Sequence, residues 1–101
     1  MADQELKDIK KDIYLMLKKA EQMIELSEDA FVKGKVSSLD QAEELGREIR
    51  TKEERLTEHL SKLAADSSKA RTVLAIPAHV EKVAANLTRL NDGIRVKIKD
   101  G

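Results

Sequence analysis

Val73-Leu74-Ala75-Ile76-Pro77-Ala78-His79-Val80-Glu81-Lys82-Val83-Ala84-Ala85-Asn86-Leu87 is the stretch that decides the fold. Its apolar residues Val73, Ile76, Val80, Val83 and Leu87, continued by Leu90 and Ile94, fall at alternating steps of three and four. That is close to a strict heptad, the pattern of a helix with a coiled-coil-like seam. Ala70, Leu74, Ala78, Ala84, Ala85 and Ile98 add apolar surface on its other sides, so this helix is expected to be the most buried of the set. Pro77 stands inside the pattern. A proline in a helix interior costs about 3 kcal/mol, kinks the helix and here would free the carbonyl of Val73. Replacing it with alanine is then expected to raise the stability of the bundle.

Upstream, Asp66-Ser67-Ser68 is a polar turn containing an N-cap. Before it runs a second stripe: Leu39, Ala42, Leu45, Ile49, Leu56, Leu60 and Leu63, interrupted at Lys52 and Glu53. Gly46 weakens this helix and allows another to approach closely. Ser38-Leu39-Asp40-Gln41 has the form of a capping box and is expected to start the helix. Further upstream, Gly34 between Lys33 and Lys35 ends a first helix. Its stripe is Leu6, Ile9, Ile13, Met16, Ala20, Met23 and Ala30, widened by Leu17, Ile24 and Phe31 toward a second neighbour. The expectation is one domain over residues 1–101, with helices at about 3–33, 38–65 and 69–99. Each is roughly 45 Å long at 1.5 Å per residue, and short links make neighbours antiparallel. The fold class is all-α: an antiparallel up-down-up three-helix bundle with left-handed crossings, rather than one continuous coiled coil.

Composition agrees. The chain has 101 residues, 38% of them charged, 41% hydrophobic and 2% aromatic, with one proline and four glycines. Nineteen basic residues balance nineteen acidic ones, so no overall field draws nucleic acid or an anionic membrane. There is no cysteine, which excludes disulfides, thiolate metal sites and cysteine nucleophiles. The longest uncharged run, Thr72 to Val80, is far short of the roughly 20 residues of a membrane span, and Met1-Ala2-Asp3-Gln4-Glu5 lacks the start of a signal peptide. A cytoplasmic protein without direct membrane insertion is expected.

The element order and the third helix resemble the phosphate-uptake regulator (PhoU) family. In the first helix the resemblance lies in Leu17-Lys18-Lys19-Ala20-Glu21-Gln22-Met23-Ile24-Glu25, and in the second in Glu44 to Leu56. In the third it lies in Pro77-Ala78-His79-Val80-Glu81-Lys82-Val83, Asn86-Leu87 and Ile94-Arg95-Val96-Lys97-Ile98-Lys99-Asp100-Gly101, which look like the branch associated with phosphate transporters. The family is built from three-helix repeats, commonly two per chain, and this chain corresponds to one; the architecture is also spectrin-like. The resemblance implies a non-enzymatic regulatory or adaptor role in phosphate transport, exercised by contact with a transporter or signalling protein. It also implies a metal-binding Glu with an Asp one turn later. Here Glu81 keeps the first position, but Ala85 takes the second. Gly46 stands where another acid is common, while Glu53 remains.

Three residues are therefore the candidates for a metal: Glu81, Glu53 and His79. No bound metal or other cofactor is expected. Glu81 reads as a surface acid paired with a nearby lysine, and His79 lies about 200° around the helix from it, so one ion does not easily take both. His59 shows no partner in the sequence. The charged second helix, with Glu43, Glu44, Glu48, Glu54 and Glu58 among Arg47, Arg50, Lys52 and Arg55, reads as a solvent face laced with ion pairs. Arg95, Lys97 and Lys99 form a basic end that complements the helix dipole. No catalytic triad, phosphate loop or aromatic stacking platform is present, so enzymatic activity and nucleic-acid binding are not expected. The surplus apolar positions on the first and third helices are expected to pair with a second copy, giving a homodimer. Two alternatives stand beside this: a metal-binding protein whose reduced site uses Glu81 and Glu53 from two copies, and a generic structural bundle.

Overall fold

In the computed structural model, which describes residues 2–101, four helices appear: α1 (Ala2–Lys33), α2 (Val36–Ala64), α3 (Ser68–Val73) and α4 (Ile76–Asp100). Met1 lies outside the described residues. α1 and α2 form the first two arms of an up-down-up bundle, and α3 followed by α4 forms the third. α1 packs on both α2 and α4, which also touch each other, in a body 55 × 17 × 16 Å.

The reversal between α1 and α2 depends on Gly34, whose φ of 68° is left-handed and whose N–H donates to the Ala30 carbonyl at 2.8 Å. With the turn complete there, α2 begins at Val36, before the capping box that was expected to start it. Lys35 occupies the N-cap position in extended geometry without a side-chain hydrogen bond. Ser38 is instead buried, and its hydroxyl donates across the hairpin to Asp29 Oδ2 at 2.9 Å. The α2–α3 turn matches its sequence signals more closely. Ser67 Oγ accepts from the Ala70 N–H at 3.2 Å, and Arg71 Nη1 donates to the Ala64 carbonyl at 2.6 Å, serving the open end of α2.

Pro77 does not kink a continuous helix. α3 stops at Val73, and α4 restarts at Ile76 with Pro77 in its first turn. A proline there loses no intrahelical hydrogen bond, because the first turn's N–H groups have no helical partner. The ring is fully buried.

The main core joins Leu6, Ile9, Ile13, Met16, Ala20 and Met23 of α1 to Ile49, Leu56 and Leu60 of α2 and to Val80 and Ala84 of α4. A smaller cluster of Ala30, Leu39 and Ile94, with Ile98 against it, closes the other end. Between them lie Ser27 and Asn91, both buried, with Ser27 Oγ donating to Asn91 Oδ1 at 2.6 Å and the Met23 carbonyl a second acceptor at 2.9 Å. The third arm is not the most buried one, contrary to its heptad. Ile76, Val83 and Leu90 are respectively 37%, 47% and 55% exposed. One edge of the seam packs on α1 and α2 through Val80, Ala84 and Ile94, while the other edge faces outward.

Candidate interaction surface

That outward edge has a counterpart on α1. Leu17, Ile24 and Phe31, seven residues apart, remain about half exposed, although they were placed toward a second neighbour. α1 does touch two helices, but these side chains stand beyond the contact. Ile76, Val83 and Leu90 repeat the same spacing on α4. The two rows meet. Leu17, Ile76 and Val83 line one open apolar dimple of about 270 Å³ together with His79. Further along, Lys97 Nζ lies 4.7 Å from the centre of the Phe31 ring, a cation–π contact that ties the far ends together. Leu17, Ile76 and Val83 thus share an apolar patch on the α1–α4 groove, and heptad spacing sets Ile24, Phe31 and Leu90 further along the same edges of their helices. Scattered exposed hydrophobic residues are normal on a folded protein, whereas a row with helical spacing on two adjacent helices is the candidate for a contact surface.

The metal candidates lie elsewhere, and none of them joins another in a ligand set. Glu81 borders a shallow cleft of about 240 Å³ between α2 and α4, also lined by Glu43, Gly46, Arg50 and Ala85. Its carboxylate is 3.9 Å from Arg50 Nε, so its partner is an arginine on the next helix rather than a nearby lysine. Glu43 faces Arg47 at 3.3 Å and Arg95 at 3.8 Å. Glu53 accepts a hydrogen bond from Thr57 Oγ1 at 2.6 Å. His79 belongs to the apolar dimple on the other side of α4. Among the described residues no group of three or more His, Asp or Glu side chains is placed to hold an ion.

Several pairings were beyond the reach of the sequence. His59 Nε2 lies 3.0 Å from Glu5 Oε2, across more than fifty residues of chain. Arg95 donates to Asp40 Oδ1 at 3.0 Å, so the basic end of α4 also bridges to α2. The expected ion pairs along α2 do form, Arg47 meeting Glu44 at 2.6 Å, and these carboxylates, Glu44 first, raise the guanidinium pKa further.

Residues 13–95 match the PhoU domain family. The chain belongs to it. No curated protein and no solved structure matches the chain.

For a PhoU domain, the α2–α4 cleft is where the family resemblance would place carboxylates for a metal. This chain's residues do not fit one. Gly46 and Ala85 contribute no oxygen ligand, and the two acids that remain, Glu43 and Glu81, are each neutralised by arginine. Hard and borderline cations need several uncommitted oxygen ligands, which this cleft does not supply. Among the described residues no helix is long and apolar enough to cross a membrane.

Proposed function

We propose that this chain is a non-enzymatic PhoU-type regulatory or adaptor domain, working in the cytoplasm by protein–protein contact in phosphate transport or its control. The observation that carries the reading is the apolar face formed by Leu17, Ile24, Phe31, Ile76, Val83 and Leu90. Its occupant in this reading is a second copy of the chain. Transporter or signalling partners then meet the resulting dimer rather than the single bundle.

The magnitudes suit a dimer that depends on concentration. Each of the six side chains is between 37% and 55% exposed. Burying the exposed half of a large apolar side chain is worth roughly 1 kcal/mol, so two copies together gain on the order of 10 kcal/mol. Association costs about 4–15 kcal/mol in lost freedom and side-chain ordering. At the low end of that cost about 6 kcal/mol is left, a Kd of some tens of micromolar, which one well-placed charge is enough to abolish. Native mass spectrometry and light scattering across a concentration series are expected to show a monomer–dimer equilibrium. Val83→Asp is expected to leave helical circular dichroism unchanged and to abolish the dimer. A chain that stays monomeric at millimolar concentration would remove this reading.

A further inference from the structure

We infer that two copies meet in a parallel sense, with α1 of each protomer against α4 of its partner, about a two-fold axis running along the bundle. This rests on the reading that the α1–α4 face is where copies meet, and adds which way they meet. The orientation follows from the charge on the two flanks of the face. On α1, Glu21 and Glu28 follow Leu17 and Ile24 by four residues, about 40° around the helix and away from buried Ala20 and Ser27. On α4, Lys82 and Arg89 precede Val83 and Leu90 by one residue, about 100° around and away from buried Ala84 and Asn91. All four are exposed. Glu28, Lys82 and Arg89 make no ion pair among the described residues, and Glu21 makes only a 3.5 Å contact with exposed Lys18. One flank thus carries a free acid, Glu28, and an acid held only by an exposed lysine, Glu21, while the other carries two bases without an ion-pair partner among the described residues.

A symmetric pair must place the same patch on both copies, which leaves two arrangements. With the axis across the bundle, α1 meets α1 and α4 meets α4, each antiparallel. Glu21 then stands near Glu28 of the partner, and Lys82 near Arg89 of the partner. With the axis along the bundle, the acidic flank of each α1 meets the basic flank of the partner's α4, and symmetry repeats the match on the other rim. The register agrees. The Ser27–Asn91 hydrogen bond sets those two residues level, which brings Glu21 within one helical turn of the height of Lys82, and Glu28 of Arg89. Flanking charges decide partner and orientation between packed helices in this way, and like charges across an interface exclude the wrong arrangement.

Three full-length proteins test the assignment: the native chain, a double variant Glu21→Lys with Glu28→Lys, and a fourfold variant adding Lys82→Glu and Arg89→Glu. All four positions are exposed, and circular dichroism checks that each variant folds. Sedimentation at low ionic strength is expected to show the double variant dimerising at least about tenfold more weakly, with near-native association restored in the fourfold variant. The loss is expected to shrink near 1 M salt, where the screening length falls to about 3 Å. In an equimolar mixture of native and fourfold chains, native mass spectrometry is expected to find homodimers and few mixed dimers. Unchanged association of the double variant, or a predominance of mixed dimers, would overturn the parallel pairing and establish the antiparallel one. A native chain that never dimerises would overturn the contact face and this pairing together.

Discussion

Removing the buried hydroxyl of Ser27 should reveal how α4 is held in register. Ser27 and Asn91 are 4% and 7% exposed, and their bond joins α1 to α4 between the two apolar clusters. Ser27→Ala leaves the Asn91 amide buried without its partner, at a cost of about 1–3 kcal/mol. For a domain of this size each kcal/mol moves the Tm by about 4–8 °C, so the fall is roughly 4–24 °C. Asn91→Leu is not symmetric with it. The serine hydroxyl keeps the Met23 carbonyl at 2.9 Å, so nothing polar is orphaned and the cost is expected below about 1 kcal/mol. With both replaced, the two clusters become one apolar core, and the double variant is expected near native stability or above it. Urea unfolding followed by circular dichroism, below the concentration at which copies associate, measures all four corners of the cycle. The coupling energy that follows from these corners is about 1–4 kcal/mol in magnitude. If Ser27→Ala costs the same in the Asn91→Leu background as in the native one, the pair is not a unit and the reasoning fails.

Pro77→Ala is expected to destabilise the domain by about 1–3 kcal/mol, through lost ring burial and a freer unfolded chain, the reverse of what a kinking proline would give. Equal or greater stability in urea unfolding would restore the interior-kink interpretation. Asp29 titrates below the usual carboxylate range because Lys33 and Ser38 both bond its oxygens, at 2.9 Å each. A carboxylate whose pKa is depressed on folding contributes stability that is fully present above its unfolded pKa and is lost as pH falls through the lower, folded value. The stability gap between the native chain and Asp29→Asn is therefore expected to be widest near neutrality and to close on acidification, and a gap independent of pH would rule this out.

Periodicity made the three arms and most of their inner faces legible, because Met16, Met23, Ile49 and Leu60 sit on stripes that no other packing could bury. It could not separate buried from half-exposed positions on α4. Val80 and Val83 are equivalent in a heptad, and only the direction of approach of α1 and α2 distinguishes them. Pro77 misled for a related reason: the sequence shows helical spacing on both sides of Ile76, and a two-residue break between helices hardly disturbs it. The capping box failed because Gly34 had already ended the turn, freeing Ser38 to bond Asp29. At the cleft, the family pattern located Glu81, Gly46 and Ala85 on one surface, whereas Arg50 as the counter-ion of Glu81 required the structure. His59 and Glu5 meet only because α1 and α2 run antiparallel, which no local pattern records.

The two faces of α4 differ in what they leave unsatisfied. Toward α2, every acid at the cleft has an arginine within 4 Å, so an arriving cation would first have to displace a charge of its own sign. Exposed pairs of this kind contribute little stability, but they remove free carboxylates from the surface. Toward α1 the reverse holds: apolar side chains remain half in water, and of the charges beside them Glu28, Lys82 and Arg89 have no ion-pair partner among the described residues, Glu21 pairing with Lys18 at 3.5 Å. A fold can neutralise its own surface or reserve it, and only a reserved surface distinguishes one partner from another. The absence of oxygen ligands at Gly46 and Ala85 and the half-exposed Leu17–Leu90 residues both favour the contact proposed above over a bound ion.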